Sequence, residues 1–498
     1  MREENSLRNK TIIGLFWSFF EIIANQGIQF IIQIFLARLL LPEDFGVIGM
    51  ITVFIAISQT FIDSGISSAL VREKEVKQED LSTIFYFNLF MAIILYFILF
   101  FSAHAISSYF KEPQLVLILR VLALILIINS FGITQRTILI RKIDFKTQTR
   151  ISVISSILSG VMAIILAFMG FGVWSLVIRT IVMQFLQSLL LCLSNRWIPS
   201  MVFRMSSFRK LFGFGWKLLV SSLIDTFYRN LYYLIIGKIF SAEELGYYTN
   251  AQKLRDMASQ SITTSVQKVS YPVLSSIQNE KQRLKSGYQK IIKNTVFLTF
   301  PVMIGLAAVA DPLIRFLYGN KWAPSIPIFQ LLCIAGILYP LHALNLDVLQ
   351  VKGRSDLFLS LEIVKKVIAV SSILIVLFFK LGIMGLLWAT VIVSFIAYFI
   401  NSYFSVQLLS YSALEQIKDI LPVFINSILM GVAVAACGIL IPYGLVIKLA
   451  VQLVTGIVFY IAICKITKIE EFNTMYALLH SALKKILNTA KAEDGGFK

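Results

Sequence analysis

Long apolar runs separated by short polar breaks dominate this chain. Windows of about 20 predominantly apolar residues, enough to cross a bilayer as a helix, fall at roughly 11–36, 45–68, 82–104, 114–138, 148–168 and 173–193. They recur at 212–239, 245–273, 290–310, 325–349, 357–379, 384–409, 421–440 and 443–464. The pattern predicts an all-α polytopic membrane protein with about 14 transmembrane helices. One segment departs from it. Between Leu245 and Pro272, the residues Lys253, Asp256, Gln260, Thr263, Gln267 and Ser270 recur at helical spacing, so a helix carries them as one polar stripe. A charge at the bilayer centre costs at least ~3 kcal/mol. The stripe is therefore expected to line a wet space.

The polar breaks set the orientation. With the N-terminus inside, the inner segments hold 27 Lys and Arg and the outer loops hold only Arg38, Lys111, Lys238, Arg315, Lys321 and Lys380. Both termini are expected in the cytoplasm, in a cell (inner) membrane. The first run, after MREENSLRNK, is too long for a signal-peptide core and reads as an uncleaved first helix.

An internal repeat organises the fourteen segments. LLLPEDFG (39–46) matches IFSAEELG (239–246) at an offset of 200, with Glu43/Glu243 and Gly46/Gly246 identical. A second match, at offset 212, sets Arg141–Phe145 against Gly353–Leu357 and pairs Gly170 with Gly382. The first six segments thus correspond to the next six in the same orientation, giving two parallel six-helix lobes. The expected organisation is an N-terminal lobe over 1–194, a basic cytoplasmic linker over 195–211 and a C-terminal lobe over 212–410. Two further helices over 411–464 and a basic cytoplasmic tail over 465–498 complete it.

Composition narrows the class. A chain of 498 residues with mean hydropathy +0.80 and 14 % charged residues is no soluble domain. The net charge of +18 sits in short loops, where it serves orientation and anionic lipid rather than nucleic acid. Cys192, Cys333, Cys437 and Cys464 stand singly in or beside apolar runs and read as packing residues. His104, His342 and His480 are scattered, so no metal site is expected. The Gly-x-Gly at 170–172 follows no strand, and there is no Walker motif, no nucleophile–base set and no cofactor signature. An enzyme is not expected.

The candidate chemistry lies inside the spans. Ser18, Glu21, Asn25, Gln29 and Gln33 share one face of the first helix, and at offset 200 they become Leu218, Ser221, Asp225, Arg229 and Tyr233. Together with Asp63 and the stripe on 245–273, these groups suit a central cavity between two lobes. Arg229, Lys253 and Arg255 fit a phosphate or pyrophosphate group, with Asn25, Gln29 and Gln260 as further substrate-binding groups. Glu21, Asp63, Asp225 and Asp256 could pair with the cations or take up H⁺ or Na⁺ for coupling. Asp225–Arg229 and Lys253–Asp256 also fit structural ion pairs. Arg255 has no acid three or four residues away, and Asp256 beside it is expected to point elsewhere. Arg120, Arg179, Lys365 and Lys366 are expected to snorkel or face the cytoplasm, and Trp174 and Trp322 to anchor at the interface. The 245–273 helix is the expected headgroup wall, since Val53 and Ala56 replace Lys253 and Asp256 in its counterpart.

Several stretches resemble the Wzx-type polysaccharide-export flippases of the multidrug/oligosaccharidyl-lipid/polysaccharide superfamily, in particular the colanic-acid and teichuronic-acid exporters. They are LARLLLPEDFGVIGM (36–50), YPVLSSIQNEKQRL (271–284), NKWAPSIPIFQLLCIAG (320–336) and, most specifically, LHALNLDVLQVKGRSDLFLSLEI (341–363). The resemblance covers residues 10–465 and implies a MATE-like fold. It further implies an undecaprenyl-pyrophosphate-linked oligosaccharide moved between leaflets by alternating access, with cavity cations meeting the pyrophosphate and a polymerase and glycosyltransferases as partners. Two other readings compete. A drug/cation antiporter of the same superfamily would want an acidic cavity, and a membrane polysaccharide polymerase or ligase would want a large outer loop.

Overall fold

The computed structural model describes residues 2–63, 65–73, 75–441, 444–475 and 477, and the regular elements among them are all helical. Lys74, His480 and the tail lysines Lys484, Lys485, Lys491 and Lys498 lie outside the described residues, as does the side chain of Ser18. The chain forms two compact units, residues 1–249 and 250–498.

The first unit holds α1 (Arg2–Leu39), α2 (Pro42–Asp63), α3 (Ile66–Arg72), α4 (Gln78–Phe110), α5 (Leu115–Leu122), α6 (Leu124–Arg141), α7 (Phe145–Phe168), α8 (Val173–Asn195) and α9 (Met205–Ile239). It closes on the opening turns of α10 (Ala242–Ser276). Within it α7 packs between α1 and α8, α6 between α4 and α8, and α9 along α2. The rest of α10 begins the second unit, followed by α11 (Lys281–Ala308), α12 (Ala310–Tyr318), α13 (Ser325–Gly336), α14 (Tyr339–Val351), α15 (Ser355–Phe378), α16 (Gly382–Leu409), α17 (Ala413–Leu440) and α18 (Leu445–Ile466). Here α11 packs on α17 and α13, α16 on α13, α14 and α15, and α17 on α18.

Eleven segments among the described residues are long and apolar enough to cross a membrane, with α5–α6 and α13–α14 each forming one span. This is a multi-pass membrane protein. Three more long helices, α9, α10 and α15, stand where spans were expected but carry more charge, for example Asp225 and Arg229 on α9 or Glu362, Lys365 and Lys366 on α15. The expected total of 14 is compatible with this arrangement.

Helix ends show the repeat in detail. Leu40 N donates to Leu36 O and Phe240 N to Ile236 O, each pair 200 residues from the other. The next turn is capped alike, Leu41 N donating to the Asp44 carboxylate and Ser241 N to that of Glu244. Further on the register changes. Asp144 N bonds to Leu139 O and Arg354 N to Leu349 O, while Phe171 N bonds to Leu166 O and Leu381 N to Val376 O. These helix-terminating motifs lie 210 residues apart, and α7 and α15 are both 24 residues long. The offset of 212 is therefore corrected by two residues. Ile143 corresponds to Gly353 and Gly170 to Lys380, all four at positive φ.

The halves also differ. After α2 the chain turns at Gly65 (φ 64), where a Cβ would lie 2.7 Å from Gly215 O, and restarts as α3. Its counterpart α10 runs on through Ser265. The segment expected as a linker is held to the first unit. Gln78 accepts from Trp197 Nε1 and donates to Ile198 O, Ser82 bonds Ser200, and Arg204 reaches Glu79 at 2.7 Å.

One smaller expectation changes, and two basic residues expected to snorkel or face the cytoplasm take partners. Trp322 is fully buried beside Tyr318, because α12 folds back on α13 and α18 instead of leaving an open loop. Arg120 Nε donates to Phe100 O, and its guanidinium covers the Phe100 ring. Lys365 pairs with Glu362 one turn away on α15.

Candidate functional site

A polar cavity of about 700 Å³ opens inside the first unit, lined from α1, α2, α3, α6, α7 and α8. Three kinds of side chain reach it. Acids come from Glu21 and Asp63, and a guanidinium from Arg136. The remaining polar lining is amide and hydroxyl, including Gln29, Asn129, Gln148, Gln184 and Gln187. Amide side chains both donate and accept, which matches the hydroxyls of a sugar better than it matches a bare cation.

Local hydrogen bonds fix several of these groups. Asn25 donates to Ser152 Oγ at 2.8 Å and accepts from Ser156 Oγ at 3.1 Å, tying α1 to α7. Gln184 donates to Asn129 Oδ1 at 2.7 Å. Ser67 donates to Asp63 across the Gly65 turn, and Arg136 is close enough to act electrostatically on the same carboxylate. Glu21, Arg136, Gln148 and Gln187 also share a narrower extension of the cavity. Gln148 Nε2 is buried with no hydrogen-bond partner among the described residues.

The first unit thus brings together Glu21, Asn25, Gln29 and Asp63 of the residues expected from sequence. Asp225 and Arg229, on α9, form an i,i+4 ion pair at 2.7 Å with both side chains well exposed. In the second unit α10 carries Lys253, Arg255, Asp256 and Gln260. Arg255 Nε stands 2.9 Å from Asp256 Oδ1, so the expectation that Asp256 points away is corrected. The two charges are in contact without an aligned hydrogen bond. The stem of Arg255 lies against Gly336 of α13.

The stripe on α10 divides. Lys253 is exposed and Gln260 half-buried, but Thr263 and Ser270 are buried and Gln267 donates to Asp347 of α14 at 2.9 Å. Its second half is therefore a packed polar seam, not a wet wall. A second cavity of the same unit has the opposite character. About 630 Å³ in volume, it is lined by α11, α17 and α18, through apolar groups such as Phe297, Leu298, Pro301, Val302, Leu453 and Ile457.

Sequence reasoning missed Arg136, Gln148, Gln184, Gln187 and Asp347. Asn129, Ile133, Arg136 and Ile140 repeat at helical spacing on α6, which marks one face. Arg136 stands only two residues from the expected helix end, which gives it the look of a snorkelling terminus.

The polysaccharide biosynthesis protein family matches residues 35–327. The chain belongs to this family. It is 29 % identical to the teichuronic acid biosynthesis protein TuaB of Bacillus subtilis (strain 168) over 302 residues, 60 % of this chain and 62 % of that protein. It is 26 % identical to the succinoglycan biosynthesis transport protein ExoT of Rhizobium meliloti (strain 1021) over 325 residues, 65 % of this chain and 66 % of that one. The match therefore spans just under two thirds of either relative. Among solved structures, the lipid II flippase MurJ in an inward closed conformation shares the fold, with TM-score 0.71 and 17 % identity over 92 % of this chain and 98 % of that one.

Proposed function

We propose that this chain is a flippase, not an enzyme, that moves a lipid-linked oligosaccharide from the inner to the outer leaflet of the cytoplasmic membrane for surface polysaccharide synthesis. The carrier is taken to be undecaprenyl pyrophosphate, as in the family it resembles. The observation that carries this reading is the amide-rich cavity with a single guanidinium inside a membrane-spanning unit. A drug cation would need acids without Arg136 and would leave seven amide side chains of that lining unused. The names of TuaB, ExoT and MurJ point the same way.

In this mechanism the sugars hydrogen-bond to the amides and hydroxyls of the first unit. The pyrophosphate needs a cation, as charge-assisted bonds favour, and in the first unit Arg136 is placed to supply it. The groove on α11, α17 and α18 is mainly apolar, with Gln452, Tyr460 and Lys465 also in its lining, and it suits a hydrocarbon tail, which gains about 25 cal/mol per Å² of surface removed from water. Alternating access then requires differential binding between two states, driven by H⁺ or Na⁺ taken up at acids such as Glu21, Asp63, Asp225 or Asp256. Both termini face the cytoplasm, where glycosyltransferases supply the substrate, and a polymerase consumes it outside.

The test is reconstitution of the full chain into liposomes with a fluorescent undecaprenyl-pyrophosphate disaccharide. Flipping is read as loss of accessibility of the sugar to an added glycosidase. Time-dependent protection supports the reading, and accessibility equal to that in empty liposomes overturns it.

A further inference from the structure

Asp347 belongs to the stretch with the most specific family resemblance. It lies one turn from the end of α14 and is only 5 % exposed. Its Oδ1 accepts from Gln267 Nε2 at 2.9 Å, whereas its Oδ2 is buried with no hydrogen-bond partner among the described residues. On α10, Ser270 lies one turn beyond Gln267, and its hydroxyl is likewise buried without a partner.

No cation of the surrounding elements is committed to this carboxylate. Lys352, at the end of α14, donates to Gln278 O. Arg354 pairs with Asp356 and Lys365 with Glu362 on α15, and Lys293 of α11 pairs with Asp419. Lys268 on α10 is exposed, Lys366 of α15 has a contact of its own, and α13 and α16 carry no charged residue. Tyr288 of α11 donates to Asn345. Among the described residues the carboxylate thus has one amide donor and no counter-ion, in a span where an uncompensated charge is costly.

We propose that Asp347 is a proton-binding site of the transport cycle, and that its bond to Gln267 makes the α10–α14 seam sensitive to its charge. This rests on the transport reading above. An ionised carboxylate holds the Gln267 amide by a charge-assisted hydrogen bond, about twice as strong as the neutral one. Proton uptake neutralises the acid and loosens the seam, and release tightens it, which supplies the differential interaction a switch requires. A proton fits better than Na⁺. The site presents an N–H to the carboxylate instead of a shell of oxygens.

Infrared difference spectroscopy on the reconstituted full chain, titrated from pH 8 to pH 5 without substrate, reads the site directly. The expected result is a protonated-carboxyl C=O band that grows with acidity, is lost in Asp347→Asn and shifts in frequency in Gln267→Ala. A band set unchanged in Asp347→Asn, or no titrating band at all, overturns the proposal. In the liposome assay, a pH gradient and a Na⁺ gradient are applied separately to both proteins. Stimulation by the pH gradient in the unmutated protein and its loss in Asp347→Asn support the site. Equal stimulation in both, or stimulation by Na⁺ alone, overturns it. If neither protein flips the probe, the transport reading fails, while the infrared result still decides the proton site.

Discussion

Gly46 and Gly246, 200 residues apart in sequence, pack reciprocally. A Cβ on Gly46 would lie 1.7 Å from Ala242 O, and one on Gly246 would lie 1.9 Å from Pro42 O. Each glycine thus receives the first turn of the other repeat's helix, at a distance no other residue permits. Alanine at either position forces the two helix starts apart. The expected outcome is a loss of about 1–3 kcal/mol in stability, of similar size for Gly46→Ala and Gly246→Ala, measured by unfolding in mixed micelles. A neutral result at one position and not the other would show that the crossing is not symmetric.

Arg136→Gln should reduce flipping of the pyrophosphate probe by 10- to 100-fold, the loss of about 1.4–2.8 kcal/mol, while leaving the unfolding transition in place. The guanidinium is exposed to the cavity and contributes little to packing. Arg136→Lys keeps charge without the planar fork and should recover only part of the rate. Undiminished flipping by the Gln variant would remove this residue from the substrate path.

The Asp225–Arg229 pair is likewise expected to matter little for stability. The pair lies 43 % and 67 % exposed, and such pairs are worth ~1 kcal/mol or less. Asp225→Asn and Arg229→Ala should unfold within about that margin of the parent protein. A loss of transport in Arg229→Ala at unchanged stability then reports on substrate contact. A collapse in stability would assign the pair a structural role.

Ile143 holds φ 56, a region that disfavours β-branched residues, and its counterpart in the second repeat is Gly353 at φ 69. Ile143→Gly should therefore stabilise the protein by about 1 kcal/mol, read as a raised unfolding midpoint. The converse change, Gly353→Ile, should lower it. A destabilised Ile143→Gly would mean that the side chain's packing outweighs its backbone strain.

Much of this fold was legible from periodicity. Apolar windows located the helices because a bilayer leaves little freedom in their length, and the 200-residue match at Gly46/Gly246 held down to the capping bonds. The second match failed by two residues because biased apolar sequence offers many near-identities. There the helix-terminating turn, not residue type, sets the register, and Ile143 against Gly353 shares no chemistry at all. At the site, the α1 face carrying Glu21, Asn25 and Gln29 was visible at a period of one turn. Arg136 was not, because a cation near a span's end has a commoner explanation. Asp347 and Gln267 lie 80 residues apart, and no local pattern on either helix announces a partner at that separation.

The turn at Gly65 marks where the two repeats part. The first repeat has an articulated arm at this depth, α2 and α3 meeting at a joint built from a residue without a side chain. The second has a beam, α10, uninterrupted past the equivalent Ser265. Duplication supplied two copies of one architecture, and divergence at a single turn left one helix broken against Gly215 and the other continuous.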